Sequence, residues 1–155
     1  NIAAMAFDHE GYHLQSIPVE LNKAEISHRI TQNSFIQIYG RIPIMTTANC
    51  IYQTCKHCDK QFHEIVLEDR KRSRFLVYNQ CDSCYNIIYN SVVTYLLSDI
   101  SDLNKLQFYG YRLDFTAENK TEVVSVLSDL SNALENKVVS SQTDYTKGHY
   151  ERGVK

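Results

Sequence analysis

At 155 residues the chain is long enough for one domain with a real core, and 43% hydrophobic with 22% charged residues is an ordinary globular composition. A formal charge of −2 excludes a general electrostatic affinity for nucleic acid. No apolar run approaches the ~20 residues of a membrane helix, since the longest, around residues 92–97, is interrupted by Thr94 and Tyr95.

The N-terminus, Asn1-Ile2-Ala3-Ala4, has no starting Met and no basic region before an apolar stretch, so the chain reads as a piece of a longer polypeptide. Residues 17–21 read as the end of a strand. Asn22 then fits a helix N-cap with Glu25 as its capping-box partner, and a short helix runs to about Arg29. Residues 35–39 and 42–45 are apolar strand segments around Gly40-Arg41. Residues 65–67 and 75–78 flank a charged turn and predict a hairpin, and residues 87–89 predict another short strand. Ser91 can cap a helix over 92–105, whose Val92, Val93, Leu96, Leu97, Ile100 and Leu103 have helical spacing. Residues 109–115 read as a strand. Thr116 can cap a helix over 117–137 with Val123, Val124, Leu127, Leu130 and Leu134 on one face. The polar tail from Ser140 reads as irregular. The strand–helix order of the last half predicts parallel β/α units, with the segment 50–84 breaking the rhythm as an inserted, metal-bound hairpin.

That segment holds Cys50, Cys55, Cys58, Cys81 and Cys84. An odd number clustered in close pairs argues for metal ligation in a reducing compartment, hence a cytoplasmic protein, rather than for disulfides. Two Cys separated by two residues can chelate one metal through a tight turn. Cys55-Lys56-His57-Cys58 and Cys81-Asp82-Ser83-Cys84, on either side of a hairpin, therefore resemble a zinc ribbon. Cys50, Cys55 and Cys58 also have the C-x4-C-x2-C spacing of an iron–sulfur site with a fourth Cys downstream. Spacing alone leaves both metals open and favours zinc. His57 reads as a solvated loop residue.

From Tyr39-Gly40-Arg41-Ile42-Pro43-Ile44-Met45 onward the motifs form a series. Ala48-Asn49-Cys50, Leu67-Glu68-Asp69-Arg70, Cys81-Asp82-Ser83-Cys84-Tyr85-Asn86 and Tyr89-Asn90-Ser91 follow. Arg112-Leu113-Asp114-Phe115-Thr116 and Thr146-Lys147-Gly148-His149-Tyr150-Glu151-Arg152-Gly153-Val154 complete it. Together they resemble the collagenase-like family called peptidase U-thirty-two, in its longer bacterial form, over residues 18–154. The resemblance implies that residues 1–155 are the C-terminal part of a β/α-barrel-like α/β domain, with the N-terminal part of the same polypeptide as its partner. It also implies a 4Fe-4S iron–sulfur cluster on Cys50, Cys58, Cys81 and Cys84. Cys55 departs from the family pattern and keeps the ribbon set as a rival. Some relatives hydroxylate bases of tRNA or rRNA, and others were named as collagen-degrading peptidases. The expected function is oxidative RNA-base modification, with a hydrolase of the peptidase type and a zinc-ribbon-stabilised binding module as alternatives.

Little in the residues supports peptide cleavage. His63-Glu64 begins like a zincin helix, but Leu67 stands where the second His belongs, and a four-thiolate site leaves no open position for water. Arg112 and Asp114 fall near the C-terminal end of a strand, where a β/α barrel carries its active site. Arg112 can clamp a carboxylate or phosphate, or simply pair with Asp114. His149 and Arg152 in the Gly-flanked tail are further candidates, as is Arg41 beside Gly40 for substrate binding. Arg70, Lys71, Arg72 and Arg74 form a basic run that reads as a solvated turn, or as a phosphate contact.

Overall fold

Short helices and strands alternate along the computed structural model, which describes residues 2–29, 31–55, 57–139 and 144–153. Contacts divide the chain into one unit of Asn1–Gly40 with Thr94–Lys155 and a second of Arg41–Val93. The protein is mixed α/β, and no barrel is closed among the described residues.

The first unit opens with α1 (Ile2–His9). Its end is fixed by Gly11 at φ +89°. The Tyr12 N–H reaches the Phe7 carbonyl at 2.8 Å and the Gly11 N–H reaches that of Asp8 at 3.0 Å. This is a Schellman termination, and the Phe7 and Tyr12 rings make its accompanying apolar contact, edge to face with centroids 6.2 Å apart. Strand β1 (Gln15–Ser16) follows. The strand expected over 17–21 stops almost at once: Ile17 N–H still bonds Phe35, and then Pro18 offers no donor. Helix α2 (Lys23–Ser27) has the expected reciprocal capping box between Asn22 and Glu25.

Strand β2 (Ser34–Gly40) is the centre of this unit's sheet. Strand β8 (Gly110–Asp114) runs parallel along one of its edges, from Phe35↔Gly110 to Gly40↔Asp114. The other edge is shared. β1 pairs parallel at its start, and β7 (Val93–Tyr95) pairs antiparallel at its end, Tyr39 opposite Tyr95. β9 (Tyr145–Thr146) continues the sheet beyond β7. The sheet is thus mixed: β8 gives the parallel pairing expected of β/α units, and the antiparallel β7 departs from it.

That strand also corrects the helix expected over 92–105. Val93, Thr94 and Tyr95 are β-branched and aromatic, and pairing with β2 captures them as a strand. A 3-10 turn (Leu97–Asp99) and α4 (Ile100–Asn104) take up the rest, burying Leu97, Ile100 and Leu103. The last helix, α5 (Lys120–Leu134), starts later than Thr116. Glu118 accepts the N–H groups of Thr116 and Ala117, and Asn119 with Glu122 forms the capping box that begins the helix. Val126 and Ala133 face the core with Ile26, Ile36, Ile38 and Leu103, whereas Val124, Leu127 and Leu134 are exposed. None of the five residues of the expected apolar stripe is buried: Val123 and Leu130 are half-buried, and the buried positions of the helix are Val126, Asp129 and Ala133. Asp129, 2% exposed, accepts a 3.0 Å bond from the Tyr95 hydroxyl, and burial with this contact pushes the tyrosine far up. Of the expected irregular tail, residues 140–143 lie outside the described residues, and β9 lies within it.

The second unit is a four-stranded antiparallel sheet in the order β3-β6-β5-β4. Its strands are β3 (Pro43–Thr47), β4 (Glu64–Glu68), β5 (Arg74–Gln80) and β6 (Tyr85–Tyr89), with the helical turn α3 (Ile51–Cys55) between β3 and β4. The predicted hairpin is β4–β5. Asp69 closes its turn by accepting the N–H groups of Lys71 and Ser73, and Arg70, Lys71, Arg72 and Arg74 point into solvent around it. Glu64 begins a strand, so His63-Glu64 is not on a helix.

The candidate metal centre

Alternation along β5 decides what lies beneath the cysteines. Phe75, Val77 and Asn79 share one face, and β6 adds Asn86 directly opposite Asn79. Both asparagines are buried, at 2% and 0% exposure. Buried amides need partners. The Asn79 amide donates to the Gln61 carbonyl at 2.9 Å and to the Cys81 sulfur at 3.1 Å, while its oxygen accepts the His63 N–H. The Asn86 amide donates to the Asn49 carbonyl at 2.7 Å, and its oxygen has no partner. Residues next to Cys50 and between Cys58 and Cys81 are thus tied to the sheet by two side chains.

Cys81 opens the turn between β5 and β6. Its thiol donates to the Gln61 carbonyl at 2.9 Å. Partial burial pushes it above its ordinary value, and Cys58, Cys50, Asp59 and Cys84, in that order, add to the shift. Cys55 is not among these groups and is exposed at the end of α3. Cys84 closes the turn at φ 53°. A residue other than glycine adopts that conformation at a cost of roughly 1–2 kcal/mol, so the surroundings of this turn hold it there. Among the described residues no three Cys, His, Asp or Glu side chains form a closed ligand set. Thiol donors nevertheless suit a soft metal or an iron–sulfur group, and an amide N–H is aimed at the Cys81 sulfur.

No protein-family model, curated protein or solved structure matches the chain. The site must therefore be read from its own residues.

Sequence spacing brought up His63 only as the start of a zincin motif that fails at Leu67. Its Nε2 bonds Asp59 at 2.8 and 2.9 Å, and its ring stacks on Tyr52 with centroids 3.9 Å apart. His63 holds the Asp59 carboxyl below its ordinary range. This pair braces the segment after Cys58. The inward register of Asn79 was the available signal for the amide; nothing in spacing marks the pairing of His63 with Asp59. His57 is exposed, as expected for a loop histidine, and Lys56 lies outside the described residues.

The other candidates are dispersed. Arg112 Nε and Asp114 Oδ1 pair at 2.6 Å at the end of β8, with Arg112 largely exposed. Gly40 sits beside Asp114 in register at φ +127°, and a Cβ there would come within 2.8 Å of the Asp114 Cβ and overlap its carbonyl. Only glycine fits this approach. Arg41 belongs to the second unit, where Nη1 donates to the Asn90 and Ser91 carbonyls at 3.1 and 2.5 Å. Two backbone acceptors occupy this nitrogen, so its shown work is to brace the chain after β6. His149 and Arg152 are exposed in the tail, with His149 Nδ1 3.2 Å from the Gly153 carbonyl. That tail is anchored: Lys147 bridges Asp99 and Glu151 at 3.1 and 2.9 Å, and the Lys23 N–H donates to the Tyr150 carbonyl. Among the described residues no helix is long and apolar enough to cross a membrane.

Proposed function

We propose that Cys50, Cys58, Cys81 and Cys84 hold an iron–sulfur cluster in a protein of the peptidase U-thirty-two type that acts in oxidative modification of RNA bases. The ligand set is the one the family resemblance implies, and the observation that supports it is the Asn79 amide N–H aimed at the Cys81 sulfur at 3.1 Å. The activity itself rests on the family resemblance of the motif series. In this reading the first unit is part of a β/α barrel, supported by the parallel β2–β8 pair and by α5 after β8.

A bound cluster supplies one-electron chemistry or an open iron for a small co-substrate. The chain's own residues do the rest. The four cysteines present thiolates, and Asn79 orients Cys81 through its N–H. The Asp59–His63 pair fixes the segment that carries Cys58. Arg112 presents a guanidinium at the C-terminal end of β8, where it can take a phosphate or carboxylate when it leaves Asp114.

The test is nucleoside mass spectrometry of tRNA and rRNA from cells that produce the full polypeptide or its variants. The account expects a nucleoside heavier by one oxygen that disappears with Cys81→Ser and persists with Cys55→Ser. Arg112→Ala should lower it while leaving thermal stability nearly unchanged, because an exposed pair contributes only about 0–1 kcal/mol. An unchanged nucleoside profile on removal of the whole protein would overturn the activity.

A further inference from the structure

Within the first unit, remote in sequence from the cysteines, a cavity of about 380 Å³ lies between α1, β1 with its flanking residues, and the segment after α2 that carries Arg29 and Asn33. That volume is at the small end of sites for organic ligands. Its lining combines Met5, Phe7 and Tyr12 with Ile17, Asp8 and Arg29. Three features show what it suits.

The apolar wall is built in advance. The Schellman termination at Gly11 fixes Phe7 against Tyr12, so the ring pair needs no ordering when a ligand enters. Met5, Phe7 and Tyr12 are 68%, 57% and 68% exposed, which leaves apolar surface for a ligand to cover. Ile17, 7% exposed, completes the apolar lining.

The charge is equally specific. Arg29 is half-buried, and its guanidinium has no carboxylate or carbonyl partner among the described residues. A guanidinium in that setting takes a planar oxyanion through two parallel bonds. Asp8 also lines the cavity, but its Oδ1 is engaged by His13 Nδ1 at 3.0 Å. One extra carboxylate so close disfavours a second negative charge on the ligand.

We propose that this cavity binds a small monocarboxylate with an aromatic or branched aliphatic body, the carboxylate on Arg29 and the body against Met5, Phe7 and Tyr12. The site stands independently of the cysteine centre. An inorganic phosphate would satisfy Arg29 but would leave the apolar wall uncovered and meet Asp8 with two charges.

The experiment titrates the full chain with phenylacetate, phenylacetamide and inorganic phosphate and follows backbone amide shifts by ¹H–¹⁵N NMR. Phenylacetate should bind with a Kd of about 0.1–10 mM, a range set by its few heavy atoms. The shifts should be confined to residues 5–18 and 29–33. Phenylacetamide, with the same shape and no charge, should bind at least about tenfold more weakly, the loss expected for one charged hydrogen-bonded pair. Arg29→Gln should bring phenylacetate down to the level of the amide, Arg29→Lys should retain part of the difference, and Phe7→Ser should weaken both organic probes. Equal binding of acid and amide, phosphate binding as tightly as phenylacetate, or no shift up to about 10 mM phenylacetate would each overturn the proposal. The acid–amide comparison needs no variant, so it decides even if Arg29→Gln does not fold.

Discussion

Replacing Asn79 with alanine removes three hydrogen bonds from a buried position and leaves the His63 N–H without its acceptor. Unmade buried bonds cost more than made ones contribute, so the unfolding free energy should fall by about 2–3 kcal/mol in urea titration. Asn79→Asp should be no better, because a carboxylate cannot donate to the Cys81 sulfur. A loss below about 0.5 kcal/mol, the range of an ordinary surface change, would mean that the segment over the sheet is held by something else. Residue-scale legibility was uneven. Clustering made the cysteines visible at once, but spacing leaves Cys50 and Cys55 both open as partners of Cys58, Cys81 and Cys84. Arg41 looked like a substrate contact because it follows Gly40, whereas its guanidinium braces two carbonyls of its own unit. Charge in a motif does not reveal whether backbone acceptors already use it.

At the scale of elements, the caps were the most dependable guide where both partners stood in sequence. Asn22 and Glu25 are three apart and form the box as read. The start of α5 was misplaced because Thr116 is a good cap by type, while Asn119 and Glu122 have the reciprocal spacing that wins. Asn119→Ala should accordingly lower stability by about 1 kcal/mol and Thr116→Ala should not act through the helix start; thermal denaturation of the two variants compares them directly. The helix expected over 92–105 shows the complementary failure. Its apolar run satisfies both the helical and the strand periods, and only the neighbouring β2, absent from any local window, selects a strand for Val93–Tyr95. Helix α1 went unread although Gly11 stands where a helix C-cap belongs.

For the whole molecule, pH dependence follows from the ion pairs of the first unit. The Lys105 and Lys23 ammonium groups hold Asp102 at about 2, against an ordinary 3.8, and Lys147 holds Glu151 low. Lys147 itself is raised by Glu151 and Asp99. Depressed carboxylates stabilise fully above their unfolded values, and this is lost as pH falls through the folded ones. Raised lysines stabilise fully below 10.5 and lose this only above it. The melting temperature of metal-free protein should therefore be level from about pH 5 to 9 and decline on acidification below that range. The decline should be shallow, because most of these groups are exposed. A midpoint of destabilisation near neutrality would assign control to other groups.

The proposed function stands or falls on whether four of the five cysteines form one redox-active centre. Iron, zinc and acid-labile sulfide content, measured with a visible spectrum on anaerobically prepared protein, tests it most directly. About four irons with matching sulfide and a broad visible absorption, retained in Cys55→Ser and lost in Cys50→Ser, is the predicted result. One zinc without sulfide, retained in Cys50→Ser and lost in Cys55→Ser, would contradict it and make the segment a structural ribbon.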